Sequence, residues 1–310
     1  MSLKIIHTKN LRWIDITSPN EKDIVYLKEN FKFHPLDFED VVTPATRTKI
    51  DEYDQYLFII LLFPVINREN GEIKPSEVDF FVGKDFIITI HDGSMNTLNN
   101  MFSSTQLHDH ARIQYMTQGT GFLLFSILEA LFKRSAPILD KINQQMLEAS
   151  KSIFQIQASV LEHLLELKKN IIMYRRIVRM HRYVLGRLSH SIKPYLRFKD
   201  SSAYFQDLTE YAENIWDVLG SDKESVESFE ETNQSLGTHR INEKLRVLTV
   251  LSVMVSILTL ITDILIFFER DHLEKNLMLS NESLLVLFFF TVLSLVSTFT
   301  LLYFRKRRWV

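Results

Sequence analysis

The stretch Val247–Phe268, VLTVLSVMVSILTLITDILIFF, decides the architecture. It runs 22 residues with one charged side chain, Asp263. A helix needs about 20 apolar residues to cross the hydrocarbon of a bilayer. A second run, Leu284–Phe304, LLVLFFFTVLSLVSTFTLLYF, has 21 residues and no charge. Two such runs side by side, with membrane-type flanks, predict a two-helix transmembrane hairpin rather than a buried helix of a large soluble domain.

Basic residues set the orientation, because short cytoplasmic segments are enriched in Lys and Arg. The second run ends in Arg305, Lys306, Arg307 and Arg308, and the first is preceded by Arg240, Lys244 and Arg246. The short connection holds Arg270 and Lys275 against Glu269, Asp271, Glu274 and Glu282. Both termini and the whole soluble part are therefore expected in the cytoplasm. The chain reads as a multi-pass protein of the cell (inner) membrane.

The first run carries a polar face. Asn242, Leu245, Thr249, Ser252, Ser256, Thr259 and Asp263 follow one another at alternating steps of three and four. That spacing keeps all seven on one side of a helix. One charge at the centre of a bilayer costs about 2.5 to 3.5 kcal/mol on insertion scales, so such a face turns toward other helices or toward water. Two readings compete. The small polar residues knit helices together, or several copies of the helix surround an aqueous pore. A single hairpin encloses nothing, so the pore reading requires a homo-oligomer. Thr291, Ser294, Ser297, Thr298 and Thr300 are the polar residues of the second run, which reads as the outer, lipid-facing helix.

Working toward the N-terminus, the remaining residues are densely and evenly charged. The 310-residue chain has a formal net charge of −2 and no cysteine. Disulfides, thiolate metal sites and thiol nucleophiles are excluded. The opening MSLKIIHTKNLRW has no continuous apolar segment, so no signal peptide is expected. Residues 1–135 read as an α/β cytoplasmic domain. YLFIILLFPVI (56–66), EVDFFVG (77–83) and DFIITIHD (85–92) are strand-like, with a turn at NGE (70–72). Ser18 is the expected cap of a helix that Pro19 begins, and a further helix is expected over 119–134. Residues 136–246 read as long stalk helices. A helical pattern covers 138–192, and no proline occurs from Ala203 to Phe268. One helix over that range is roughly 100 Å long and runs from the cytoplasm through the membrane. The division is then 1–135, 136–246, first span 247–268, external loop 269–283, second span 284–304 and basic tail 305–310.

Other chemistry is weak. His108 and His110 have no third partner in view and read as solvated surface. His181 and His190 read as part of a basic helical face, and RRIVRMHR as a solvated face rather than a nucleic-acid site. There is no phosphate loop, nucleophile elbow or triad. The chain is not expected to be an enzyme, to carry a covalent cofactor or to bind nucleic acid, and transport would be passive.

Three segments carry a resemblance: HPLDFEDVVTPATRTKIDEYDQYLFII (34–60), INEKLRVLTVLSVMVSILTLIT (241–262) and the tail YFRKRRW (303–309). They resemble the CorA-type magnesium transporters and their zinc-transporting relatives, over essentially the whole chain. The resemblance implies an α/β domain, a funnel of stalk helices and a homopentamer with five first spans around a central pore for metal cations, probably divalent and Mg²⁺-like. It implies that Asn242 is the inner pore ring and that Leu245 and Leu248 form a hydrophobic gate. Thr249, Ser252, Ser256 and Thr259 are then the pore wall. It further implies that Asp207, with Glu210 beside it, binds a regulatory divalent ion whose acidic partner comes from a neighbour, with Glu69 and Glu72 the only acids near the matching turn. The family's Gly-Met-Asn at the outer mouth is replaced by Ile266, Phe267 and Phe268. Asp263 is the expected substitute, a ring of carboxylates one turn inside. The alternatives are a non-conducting membrane scaffold or sensor, plugged by Phe267 and Phe268, and a pore for another ion.

Overall fold

In a computed structural model of the chain, residues 2–43, 48–154, 158–191 and 193–273 are described, together with positions 291, 292, 294 and 298. The chain divides into two compact units, Met1–Glu231 and Thr232–Val310.

The first unit is built on a six-stranded sheet. Its strands are β1 (Leu3–His7), β2 (Arg12–Thr17), β3 (Lys49–Glu52), β4 (Tyr56–Ile66), β5 (Ile73–Gly83) and β6 (Phe86–His91), in the order β1-β2-β6-β5-β4-β3. Only β2 and β6 are parallel. The uninterrupted apolar run of β4 is what a strand covered on both faces requires. It pairs with β5 along its whole length, from Tyr56 opposite Gly83 to Ile66 opposite Ile73. The hairpin closes through Asn67–Glu72, with Gly71 at φ 71° in the left-handed region that a turn needs here. Pro64 lies beyond the reach of β3, which covers β4 only over Leu57–Ile60, so its missing N–H leaves no ladder bond unmade on that side.

Helices cover both faces. α1 (Glu21–Asn30) and α2 (Pro35–Val42) lie over Ile14, Ile16, Phe58, Phe81 and Ile88. The cap of α1 is Asn20, not Ser18. The Asn20 side chain accepts the backbone N–H groups of Lys22 and Asp23, and Asp23 accepts that of Asn20 in return. This reciprocal pair stands in place of the expected Ser18 cap with Glu21 three residues on, and Ser18 instead donates to the Asp92 carbonyl.

On the opposite face α3 (Asn96–Leu107), α4 (Asp109–Met116), α5 (Thr120–Lys133), α6 (Ala136–Ser152), α7 (Ala158–Val178) and α8 (His181–Ser189) share the larger core with Trp13, Leu57, Phe80 and Ile87. Among the described residues the helical pattern over 138–192 is carried by three helices, α6, α7 and α8. The interruption between α7 and α8 turns His181 inward. It does not sit on a basic face: it is 1% exposed, between the Phe63 and Phe132 rings, with Nε2 at 2.7 Å from the Leu62 carbonyl. His190 is exposed, as are His108 and His110.

The last helix, α9 (Ser201–Leu273), is 73 residues long and unbroken. Gly220 and Gly237 do not interrupt it. A Cβ at Gly220 would stand 3.2 Å from the Arg175 guanidinium, which stacks on Trp216 at 4.3 Å. The glycine therefore makes room for that cation. Within the first unit α9 buries Phe205, Leu208, Ala212, Ile215, Leu219 and Val226, at helical steps, in the larger core. Lys168 of α7 holds Glu230 at 2.7 Å. In the second unit the described residues are the rest of α9 and four isolated positions. Most of the second apolar run and the basic tail lie outside the described residues.

Candidate ion pathway

From Thr232 onward α9 has two distinguishable sides. Val250 is buried by the chain itself, and Met254, Ile257, Ile261 and Ile264 are half-buried. These five are apolar and recur every three or four residues. Asn242, Leu245, Thr249, Ser252, Ser256, Thr259 and Asp263 are all exposed. At 3.6 residues per turn, the two sets are centred roughly 130° apart around the helix. The apolar set is the less exposed of the two, while Leu251, Val255, Leu258 and Leu260, on neither set, are exposed like the polar residues.

The hydroxyls of the polar set share one geometry. Thr249 donates to the Leu245 carbonyl (2.8 Å), Ser252 to Leu248 (2.9 Å) and Ser256 to Ser252 (2.9 Å). Thr259 lies 2.8 Å from the Val255 carbonyl and 3.0 Å from that of Ser256. Each proton is spent inside the helix, four residues back, as Ser and Thr in apolar helices commonly do. A hydroxyl has one donor and two acceptor lone pairs. What remains to face outward is acceptor capacity only. The Thr259 proton points to carbonyls, so it does not cap Asp263. No hydrogen bond or ion pair of the Asp263 carboxylate is found among the described residues.

Leu245 and Leu248 are more than half exposed on or beside the same side. Ile266 and Phe267 are exposed near the far end, while the side chain of Phe268 lies outside the described residues. The helix continues through these positions to Leu273.

Asp207 and Glu210 lie on α9 in the first unit, both exposed. Glu210 accepts from the Gln206 amide at 3.2 Å, and Asp207 lies close enough to Lys133 to act on its charge. Among the described residues no group of three His, Cys, Asp or Glu converges on a metal position, so one chain alone assembles no such site there. Of the two acids near the hairpin turn, Glu72 is bound to Lys169 of α7, and that bond holds its carboxyl below the usual range. Beside it Asn170 accepts the Ile73 N–H at 2.9 Å and donates to the Gly71 carbonyl at 3.3 Å. This clamp between hairpin and stalk escapes a sequence reading, because nothing local marks one asparagine of a polar helix as a partner for backbone 97 residues away.

An α/β domain whose last helix runs on, unbroken, as an apolar segment long enough to cross a membrane is the build of a membrane protein. The chain belongs to the family described as CorA-like Mg²⁺ transporter protein, which it matches over residues 8–265. It is 22% identical over 305 residues to the cobalt/magnesium transport protein CorA of Thermotoga maritima, covering 96% of this chain and 83% of that one. The protein of the same description in Methanocaldococcus jannaschii is 21% identical over 255 residues, or 82% of this chain and 78% of the relative. The complete structure of the CorA magnesium transporter from Methanocaldococcus jannaschii superposes with a TM-score of 0.77 at 18% identity, covering 98% and 94% of the two chains. Membership makes this an ion-transport protein rather than an enzyme.

Proposed function

We propose that the chain is one subunit of a homo-oligomeric pore that passes divalent metal cations, Mg²⁺ among them, down their electrochemical gradient. The observation that carries this is the polar side of α9. Its hydroxyl protons are all turned into the helix and its lone pairs outward. A hydrated cation presents the hydrogens of its water shell, so a wall of acceptors suits it and offers an anion nothing. Mg²⁺ keeps several of its waters when bound, which matches a wall of hydroxyls better than a dehydrating cage. Asn242 is the inner ring, and Leu245 and Leu248 are the constriction. Thr249, Ser252, Ser256 and Thr259 form the wall. Asp263 is the cation-selective ring, because acidic rings attract cations by their field. Five copies follow from the family resemblance. Both termini are cytoplasmic, and Leu284–Phe304 is the second span of the hairpin. Asp207 and Glu210, completed by a neighbouring subunit, hold the regulatory cation.

A second reading has one observation in its favour. Ile266 and Phe267 are exposed apolar side chains where the family keeps its Gly-Met-Asn, and a mouth so lined suits a non-conducting scaffold. Flux of Mg²⁺ into proteoliposomes separates the two. The pore reading expects saturable uptake, with cation preference lost in Asp263→Asn. Absence of uptake in both proteins would support the scaffold, and unchanged or increased flux in the variant would support a pore for another solute.

A further inference from the structure

The corner between α3 and α4 presents two histidines, His108 and His110, to solvent. His108 serves both helices. Its N–H closes α3 on the Ser104 carbonyl at 2.9 Å, and its own carbonyl accepts the Arg112 N–H of α4 at 3.1 Å. The Arg112 side chain locks the same corner: its guanidinium donates to the Gln106 carbonyl (2.7 Å), the Thr105 carbonyl (3.3 Å) and the Asp109 carboxylate (3.1 Å). The backbone that carries the two imidazoles is therefore held from both sides. Asp109, the residue between them, is already engaged by that cation.

The two rings stand with their centroids 5.5 Å apart and their planes 25° from parallel. No hydrogen bond or ion pair of either ring is found among the described residues. Two imidazoles bound to one tetrahedral ion, through metal–nitrogen bonds of about 2.1 Å, have ring centres roughly 5 to 6 Å apart. The separation at this corner lies in that range, and exposed rings turn about χ2 at little cost, so both can aim a nitrogen at one point. Imidazole nitrogens suit borderline ions such as Zn²⁺, whereas Mg²⁺ takes oxygen ligands. No third His, Cys, Asp or Glu converges with them among the described residues. Water then fills the other two positions of a tetrahedral ion.

We propose that His108 and His110 chelate one Zn²⁺-like transition-metal ion at this corner, apart from Asp207 and Glu210 and from the polar side of α9. The site belongs to the first unit and does not depend on whether α9 conducts. Its test is isothermal titration of the full chain in detergent with zinc chloride, in a large excess of Mg²⁺ that occupies oxygen-lined sites. One saturable Zn²⁺ equivalent per chain is expected. Groups that only orient a metal ligand are worth about 10- to 100-fold in affinity, so loss of a ligand should weaken binding at least about tenfold in His108→Asn and in His110→Asn. In the double variant that equivalent should disappear. Both side chains are exposed, and circular dichroism should show the fold retained in every variant. Asp207→Asn and Asp263→Asn are expected to bind Zn²⁺ as the native chain does. Absence of a Zn²⁺ equivalent above the Mg²⁺ background overturns the assignment. So does unchanged affinity in the double histidine variant, or loss of the equivalent in Asp207→Asn or Asp263→Asn while both single histidine variants keep it. The readout is binding rather than flux, so its failure and failure of the pore reading are separate results.

Discussion

His181 makes the first unit acid-sensitive, and the size of the effect follows from its surroundings. The ring is 1% exposed, packed between Phe63 and Phe132, with Nε2 donating to the Leu62 carbonyl and Nδ1 buried without a partner among the described residues. With its proton on Nε2, the neutral ring satisfies the carbonyl. A second proton on Nδ1 would be a buried charge with no acceptor. Burial lowers its pKa from 6.5 to about 4. The unfolded chain therefore binds this proton at higher pH than the folded chain does. Stability is fully present above pH 6.5 and is lost as pH falls toward about 4. A difference of about 2.5 pH units at about 1.4 kcal/mol each gives about 3.5 kcal/mol. For a unit of 231 residues, roughly 2 to 4 °C per kcal/mol makes this a fall of roughly 7 to 14 °C in Tm. The assay is thermal unfolding of the full chain in detergent, stepped from pH 7 to pH 4, beside His181→Leu. The variant leaves the Leu62 carbonyl unpaired and should melt lower at neutral pH, but with that part of the acid slope gone. Asp79 titrates with the opposite sign: its folded pKa is raised, so its contribution falls as pH rises. Comparing the two proteins removes it. Equal acid slopes in both would refute the reasoning.

Two further outcomes follow from other contacts. Asn170→Ala leaves the buried Ile73 N–H without its acceptor. It should cost about 1 to 3 kcal/mol, with faster amide exchange confined to the 67–73 hairpin as the local signature. Thr249→Val keeps the side-chain shape and removes one outward acceptor from the proposed pore wall. Mg²⁺ flux into proteoliposomes should fall several-fold while circular dichroism shows the helix content retained, and unchanged flux would count against the wall.

The long helix was legible because its signal is one-dimensional. The absence of proline from Ala203 to Phe268 and the three-four spacing of Asn242 to Asp263 are properties of one segment, and α9 is continuous through both. β4 was legible for the same reason, since a strand buried on both faces advertises itself as an unbroken apolar run. β1 and β2 were not: LKIIH and RWIDIT are short and mixed, and they become strands by pairing with each other and with β6, which lies some 70 residues on. The inward turn of His181 likewise depends on Phe63 and Leu62 from another element, so the basic residues near it in sequence, Arg179 and Arg182, point the wrong way. The Glu77–Asp79 pair did leave a trace, two acids flanking one valine in a strand, which puts both charges on one face. Which face that is depends on register. Asp79 stands opposite Ile60 and Ile90, both in the core under α1 and α2, and that pairing buries one of two ordinary acids and raises its pKa. The polar side of α9 shows the same limit: spacing assigns seven residues to one face, but what that face meets is not written in the spacing, and among the described residues all seven are exposed.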